Sequence, residues 1–135
     1  MKKVVIIDGQ GGRMGRLLIE RIRGTGQECE IRAIGTNSIA TAAMLKAGAD
    51  AGATGENPVI VACRDADVIL GPVGIVIADS LQGEVTPAMA AAVGQSRARR
   101  LLLPVNQCGN VIAGVRELSM AQLIDEAVRL LEELM

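Results

Sequence analysis

The chain has 135 residues, half of them hydrophobic and 21% charged, with a net charge of −1. That is one domain's worth of chain with enough apolar side chain for a core, and its charge balance offers no general attraction to nucleic acid or acidic lipid. The absence of Phe, Trp, Tyr and His removes aromatic platforms for stacking bases, imidazole acid–base chemistry and His metal sites.

The three cysteines, Cys29, Cys63 and Cys108, are far apart and form no CxxC unit, which fits reduced thiols. Met1-Lys2-Lys3 leads into only four apolar residues, too few for the core of a signal peptide. No apolar run approaches the roughly 18 residues of a membrane span. The expectation is a cytoplasmic protein with neither a membrane nor a nucleic-acid partner.

Val4–Ile7 is a continuous, β-branched apolar run, the pattern of a parallel strand covered on both faces. Gly9, Gly11 and Gly12 end it. Met14, Leu17, Leu18 and Ile22 then recur at helical spacing among Arg13, Arg16, Glu20, Arg21 and Arg23, which predicts an amphipathic helix stopped at Gly24 and Gly26. A second strand fits Glu30–Ile34. The polar turn Gly35-Thr36-Asn37-Ser38 follows, then a small-sided helix from Ile39 to Ala47 closed by Gly48.

Residues 49–57 read as a connector without periodicity, and Pro58 opens the run Val59–Ala62, predicted as an outer strand. Val68–Leu70 predicts another strand, ended by Gly71-Pro72-Val73-Gly74, with helical turns over Ile75–Leu81. Thr86 and Pro87 are a cap and first-turn pair for a helix through Val93. Arg97, Arg99 and Arg100 form a basic cluster, read as a solvated cap before a buried strand at Leu101–Val105, whose exit Pro104 marks. Val111–Val115 is a last strand, or the return arm of a hairpin turning at Asn106, Gly109 and Asn110. Ser119 and Gln122 match the S-x-x-Q capping box of a terminal helix whose apolar face is Met120, Leu123, Ile124, Ala127, Leu131 and Leu134. The alternation of strand and helix predicts an α/β, Rossmann-like three-layer fold with a mostly parallel sheet, a single domain over residues 1–135.

The main functional signal is Asp8-Gly9-Gln10-Gly11-Gly12-Arg13-Met14-Gly15. Glycines between a strand and a helix permit a tight turn and let a phosphate approach backbone N–H groups, while the helix N-terminus adds unpaired donors and a partial positive charge. Residues 9–15 are therefore candidate ligand contacts. The alternative is a tight turn with no anion.

Residues 9–19, Gly-Gln-Gly-Gly-Arg-Met-Gly-Arg-Leu-Leu-Ile, resemble the opening of dihydrodipicolinate reductases. That resemblance implies a pyrophosphate of NAD(P) at this turn. It does not extend to that family's substrate domain, so no catalytic residue carries over. Over nearly its full length the chain resembles a small uncharacterised bacterial family through its IDGQGG opening, GTN turn, AGADAGATGEN connector, GPVGIVIADS segment and LLPVNQC segment. This second resemblance implies a Rossmann-like fold and carries no activity.

Two features depart from the dinucleotide pattern. Asp8 places a carboxylate beside the expected phosphate, which requires a bridging cation or a hydrogen-bonded role for it. The end of the second strand lacks the acid that receives ribose hydroxyls. Thr36 and Asn37 stand there instead, able to bind sugar hydroxyls or a 2′-phosphate, or equally to cap the next helix.

Further candidates follow from the crevice at the strand ends. Gly71, Pro72 and Gly74 are expected to wall it, with Asp79 on one flank and Glu56 and Asn57 in a loop above it. Asn106 and Cys108 follow a strand end, and without His a Cys–His pair is excluded. No metal site is expected, and no catalytic group is assigned. The composite expectation is a nucleotide- or dinucleotide-binding module taking a small phosphorylated ligand. The alternatives are a small enzyme completed by oligomerisation, or a structural protein. Self-association is expected through the Ala-rich second helix or the apolar terminal one.

Overall fold

The computed structural model describes residues 1–105 and 108–135. Five strands, β1 (Lys3–Asp8), β2 (Glu30–Gly35), β3 (Ala51–Thr54), β4 (Val68–Pro72) and β5 (Arg99–Leu103), form one sheet in the order β3-β2-β1-β4-β5. Every neighbouring pair is parallel, with Asp8 opposite Gly35, Ile6 opposite Leu70 and Leu70 opposite Leu101.

The helices are α1 (Arg13–Gly24), α2 (Ser38–Lys46), α3 (Glu56–Ala62), α4 (Pro87–Gln95) and α5 (Met120–Leu134), with one 3₁₀ turn at Val73–Val76. This is a Rossmann-like three-layer α/β architecture. The described helices include none long and apolar enough to cross a membrane.

Alternation along β1 explains the layers. Val4 and Ile6 point into one core with Met14, Leu18, Ile19 and Ile22 of α1, Met44 of α2, and Ile124, Val128 and Leu131 of α5. Val5 and Ile7 point into the other, with Val59 of α3 and Met89 and Val93 of α4. Because both faces of the central strand are covered, it reads as an unbroken apolar run. The apolar face of α5 is thus taken up inside the molecule. Its start is fixed by the Ser119–Gln122 capping box, and α4 starts at Thr86, whose hydroxyl accepts from the Met89 N–H.

Four predicted elements are corrected. Residues 49–57 contain β3, a four-residue edge strand paired to β2. Its small residues carry no hydrophobic alternation, so only pairing defines it. Val59–Ala62 is not a strand but part of α3. Pro58 sits in that helix's first turn, where a missing N–H forfeits no bond, and Val59 and Ala62, one helical turn apart, are the buried pair. Val111–Val115 forms no strand, and Val111 is 95% exposed. With β5 at the sheet edge and α5 following at Met120, residues 111–119 cross over irregularly. The segment after β4 is shorter in helix than predicted, one 3₁₀ turn followed by a loop with left-handed Asp79, Leu81 and Gln82.

Gly12 joins the two N-terminal helices. It has a φ of 73°, and a Cβ there would lie 2.7 Å from the Ala40 Cα of α2. The small side of α2 therefore receives the turn itself. A Cβ on Gly11 beside it would meet nothing within 4 Å. Gly12→Ala is expected to destabilise the protein by about 2–4 kcal/mol, from a left-handed non-glycine residue plus overpacking, whereas Gly11→Ala stays within about 0.5 kcal/mol. Urea unfolding of both variants checks this; equal midpoints would contradict the packing role of Gly12.

Candidate functional site

From β1 the chain builds outward through β2 to β3, and from β4 it builds the other way to β5. The direction changes between β1 and β4, and open α/β sheets hold ligands in the crevice beyond the strand ends at that point. Asp8 and Pro72 end these two strands. The turn from β1 closes through a Gly12 N–H bond to the Gly9 carbonyl at 2.9 Å, and α1 begins at Arg13.

Asp8 is only 4% exposed. Its Oδ1 accepts from the Gly9 N–H and its Oδ2 from the Gly15 N–H, both at 2.8 Å, and the Met14 N–H also bears on it. The Gly12 cap residue has no side chain to offer, so the carboxylate of Asp8 caps α1 from the strand end. This is the hydrogen-bonded alternative to a bridging cation. It also occupies donors that the glycine pattern assigned to a ligand. Burial pushes the Asp8 carboxyl above its ordinary range and the nearby Glu84 charge adds to that, against the pull of the three backbone N–H groups.

Glu84, which the sequence pattern did not reveal, stands in front of the turn. Its Oε1 accepts from the Gln10 N–H at 2.9 Å, the Thr36 hydroxyl at 2.7 Å and the Asn37 Nδ2 at 2.8 Å. Asn37 also donates to the Gln10 carbonyl at 2.9 Å, and its Oδ1 accepts from the Ala40 N–H, capping α2. Thr36 and Asn37 thus position a carboxylate, and Asn37 caps a helix as well. Burial is the largest single influence on Glu84 and raises its pKa, but the bonds from Gln10, Thr36 and Asn37 together outweigh it and hold the carboxyl below its ordinary value.

Two backbone donors remain. The N–H groups of Gly11 and Arg13 take no hydrogen bond among the described residues, and both residues are exposed. The Arg13 guanidinium is likewise unpaired among them, whereas Arg16, Arg21 and Arg23 of the same helix pair with Glu20, Asp125 and Asp50. Among the described residues the corner therefore presents two unbonded amides and one unpaired cation at a helix N-terminus.

The other predicted residues are distributed around this corner. Met14 and Gly15 are buried, and a Cβ on Gly15 would lie 2.5 Å from the Met44 sulfur. Gly71, Pro72 and Gly74 are buried too. Gly71 lies against the Ile7 carbonyl and Ile75, and the Gly74 carbonyl accepts from the Ser80 hydroxyl. These three line the interior behind the crevice. Glu56 is exposed at the start of α3 and accepts from the Thr86 hydroxyl at 3.1 Å. Asn57 lines a groove beside β3 with Ala51, Pro58 and Val61. Asp79 is exposed on the loop that carries Glu84, and Cys108 accepts through Sγ from the Leu81 N–H of that loop at 3.3 Å. Asn106 lies outside the described residues. Cys63 is buried, and burial pushes its thiol up to about 11, which suits an inert core residue. The described residues include no cluster of three or more His, Cys, Asp or Glu able to hold a metal ion.

One family matches residues 3–135, β1 through α5. The chain belongs to the family described as a domain of unknown function, DUF3842. No curated protein and no solved structure matches it. The DUF3842 match takes in both the glycine turn and the loop that carries Glu84.

The role of Asp8 in this DUF3842 chain is testable by two substitutions. Asp8→Ala leaves the Gly9 and Gly15 N–H groups without their acceptor and is expected to lower stability by about 2 kcal/mol. Because the folded pKa of Asp8 is raised from 3.8, the folded state binds its proton more tightly than the unfolded chain. The stability this group contributes is fully present below the unfolded value and declines as pH rises through the folded one. The stability of the wild type relative to Asp8→Asn should therefore fall from about pH 3 towards neutrality; a difference that rises with pH would contradict the assignment.

Proposed function

We propose that this protein is a nucleotide- or dinucleotide-binding module that takes the phosphate of a small ligand at the N-terminus of α1, with NAD(P) or another nucleotide as the candidate cofactor. The observation that carries this reading is the pair of unbonded amides at Gly11 and Arg13 beside the unpaired Arg13 guanidinium. A helix N-terminus with free donors attracts an anion, and a guanidinium adds charge-assisted bonds.

The β3-β2-β1-β4-β5 order supports it, because the corner lies where the sheet reverses direction. The likeness of residues 9–19 to the cofactor-binding opening of dihydrodipicolinate reductases supports it as well. The phosphate contacts are narrower than the glycine spacing alone implies. Gly9 and Gly15 serve Asp8, Gln10 serves Glu84, and Gly11 and Arg13 are left to the ligand.

Titration calorimetry with NAD⁺, NADP⁺, ADP and ATP tests the proposal. Saturable binding of at least one is expected, weakened about tenfold in Arg13→Gln through loss of a charge-assisted contact. Gly11→Ala should weaken it with little change in melting temperature. No heat from any of these at about 1 mM ligand, with folded protein, overturns the reading.

A further inference from the structure

We infer that Glu84 is the acceptor for the vicinal hydroxyls of a ligand ribose, delivered by the loop before α4 to the place where β2 ends without an acid. This rests on the nucleotide-binding reading above and names the part of the ligand that the second half of the corner recognises.

An acid at the end of the second strand receives ribose hydroxyls in dinucleotide-binding folds. Here that end is Gly35-Thr36-Asn37-Ser38. The carboxylate beside it comes from 48 residues further along the chain and is held by Thr36 and Asn37 themselves. Gly9 makes room for it, since a Cβ at that position would lie 2.9 Å from Glu84 Oε1 and 2.5 Å from the Thr36 hydroxyl. The chain thus contains a carboxylate seat, formed by Gln10, Thr36 and Asn37, with Gly9 kept clear in front of it.

The two oxygens of that carboxylate differ. Oε1 accepts all three bonds. Oε2 takes none from the described residues, and Glu84 is only half-buried. A fixed carboxylate oxygen that takes no donor from the described residues is open to a donor from a ligand, and a hydroxyl supplies one. An ester phosphate at the same place would bring negative charge against both Glu84 and the neighbouring Asp8, whose mutual repulsion is already present. The seat therefore favours a free diol and rejects a phosphorylated one.

The loop that carries Glu84 is held by its own bonds. The Ser80 hydroxyl bonds the Gly74 carbonyl, the Asp79 N–H bonds the Val85 carbonyl at 2.7 Å, and Thr86 bonds Glu56. Leu81 is buried, and Leu81 and Gln82 both hold left-handed backbone, with φ of 55° and 56°. Two adjacent non-glycine residues in that region are costly, and such outliers persist where the surrounding structure fixes them.

The test compares ADP with 2′-deoxy-ADP, and NAD⁺ with NADP⁺, by calorimetry on wild type and Glu84→Gln. Gln keeps an oxygen for the three donors and replaces the free oxygen with an amide. In the wild type, ADP and NAD⁺ should bind at least about tenfold tighter than 2′-deoxy-ADP and NADP⁺. In Glu84→Gln both ratios should collapse towards one. The wild-type comparison stands even where the variant fails to fold. Equal wild-type affinity for ADP and 2′-deoxy-ADP, ratios unchanged in Glu84→Gln, or uniform tightening of every nucleotide in the variant (a carboxylate that blocks the site) each overturn the inference while leaving nucleotide binding intact. No binding of any probe to folded wild type removes both.

Discussion

The whole corner depends on one buried carboxylate. Asp8 ends the central strand, and from there it holds the N–H groups of Gly9 and Gly15. One of those bonds fixes the turn; the other fixes where α1 begins. A helix whose cap residue is glycine needs an acceptor from elsewhere, and Asp8 supplies it from within the strand. That sets the turn and α1 against α2, where Gly15 meets Met44 and Gly12 meets Ala40. The position of α2, the end of β2 and the seat for Glu84 follow from those contacts.

This arrangement changes the meaning of a glycine-rich turn. The same spacing can present its amides to a ligand or use them internally, and here the turn divides them. The buried donors satisfy Asp8, the donor facing β2 satisfies Glu84, and the donors that face outward remain open. Gly12 serves helix packing, and Gly11 is the position that lets something from outside approach.

The sheet and its helices were legible because long-lived local patterns report them. Val4–Ile7, the amphipathic α1, the Thr86-Pro87 start and the Ser119–Gln122 box each express a constraint within a few residues. The edges were not. Ala51–Thr54 is a strand only because β2 lies beside it, and no alternation of small residues announces that. Pro58 reads as a strand marker until the first turn of α3 explains it. Val111–Val115 includes strand-forming side chains, yet it pairs with no strand among the described residues. Glu84 was illegible for a related reason. It meets Gln10 across 74 positions of sequence, and the local string Gly83-Glu84-Val85-Thr86 says only that a helix is about to start. The one available sequence signal was negative: an acid missing at the end of β2.

Asp8 and Glu84 are close enough to repel, yet their surroundings treat them oppositely. Burial dominates at Asp8 and raises its pKa, while hydrogen bonds prevail at Glu84 and lower it. Glu84 lies half-buried on the outer side of the turn, and its carboxylate is shared with three fixed donors. Asp8 stays behind it as a structural acceptor in contact with backbone alone. The negative charge offered to a ligand is therefore localised at the β2 end, and the unpaired positive charge at Arg13 on the α1 end. A molecule with a hydroxyl-bearing part and an anionic part, as in the nucleotide proposed above, would complement that polarity.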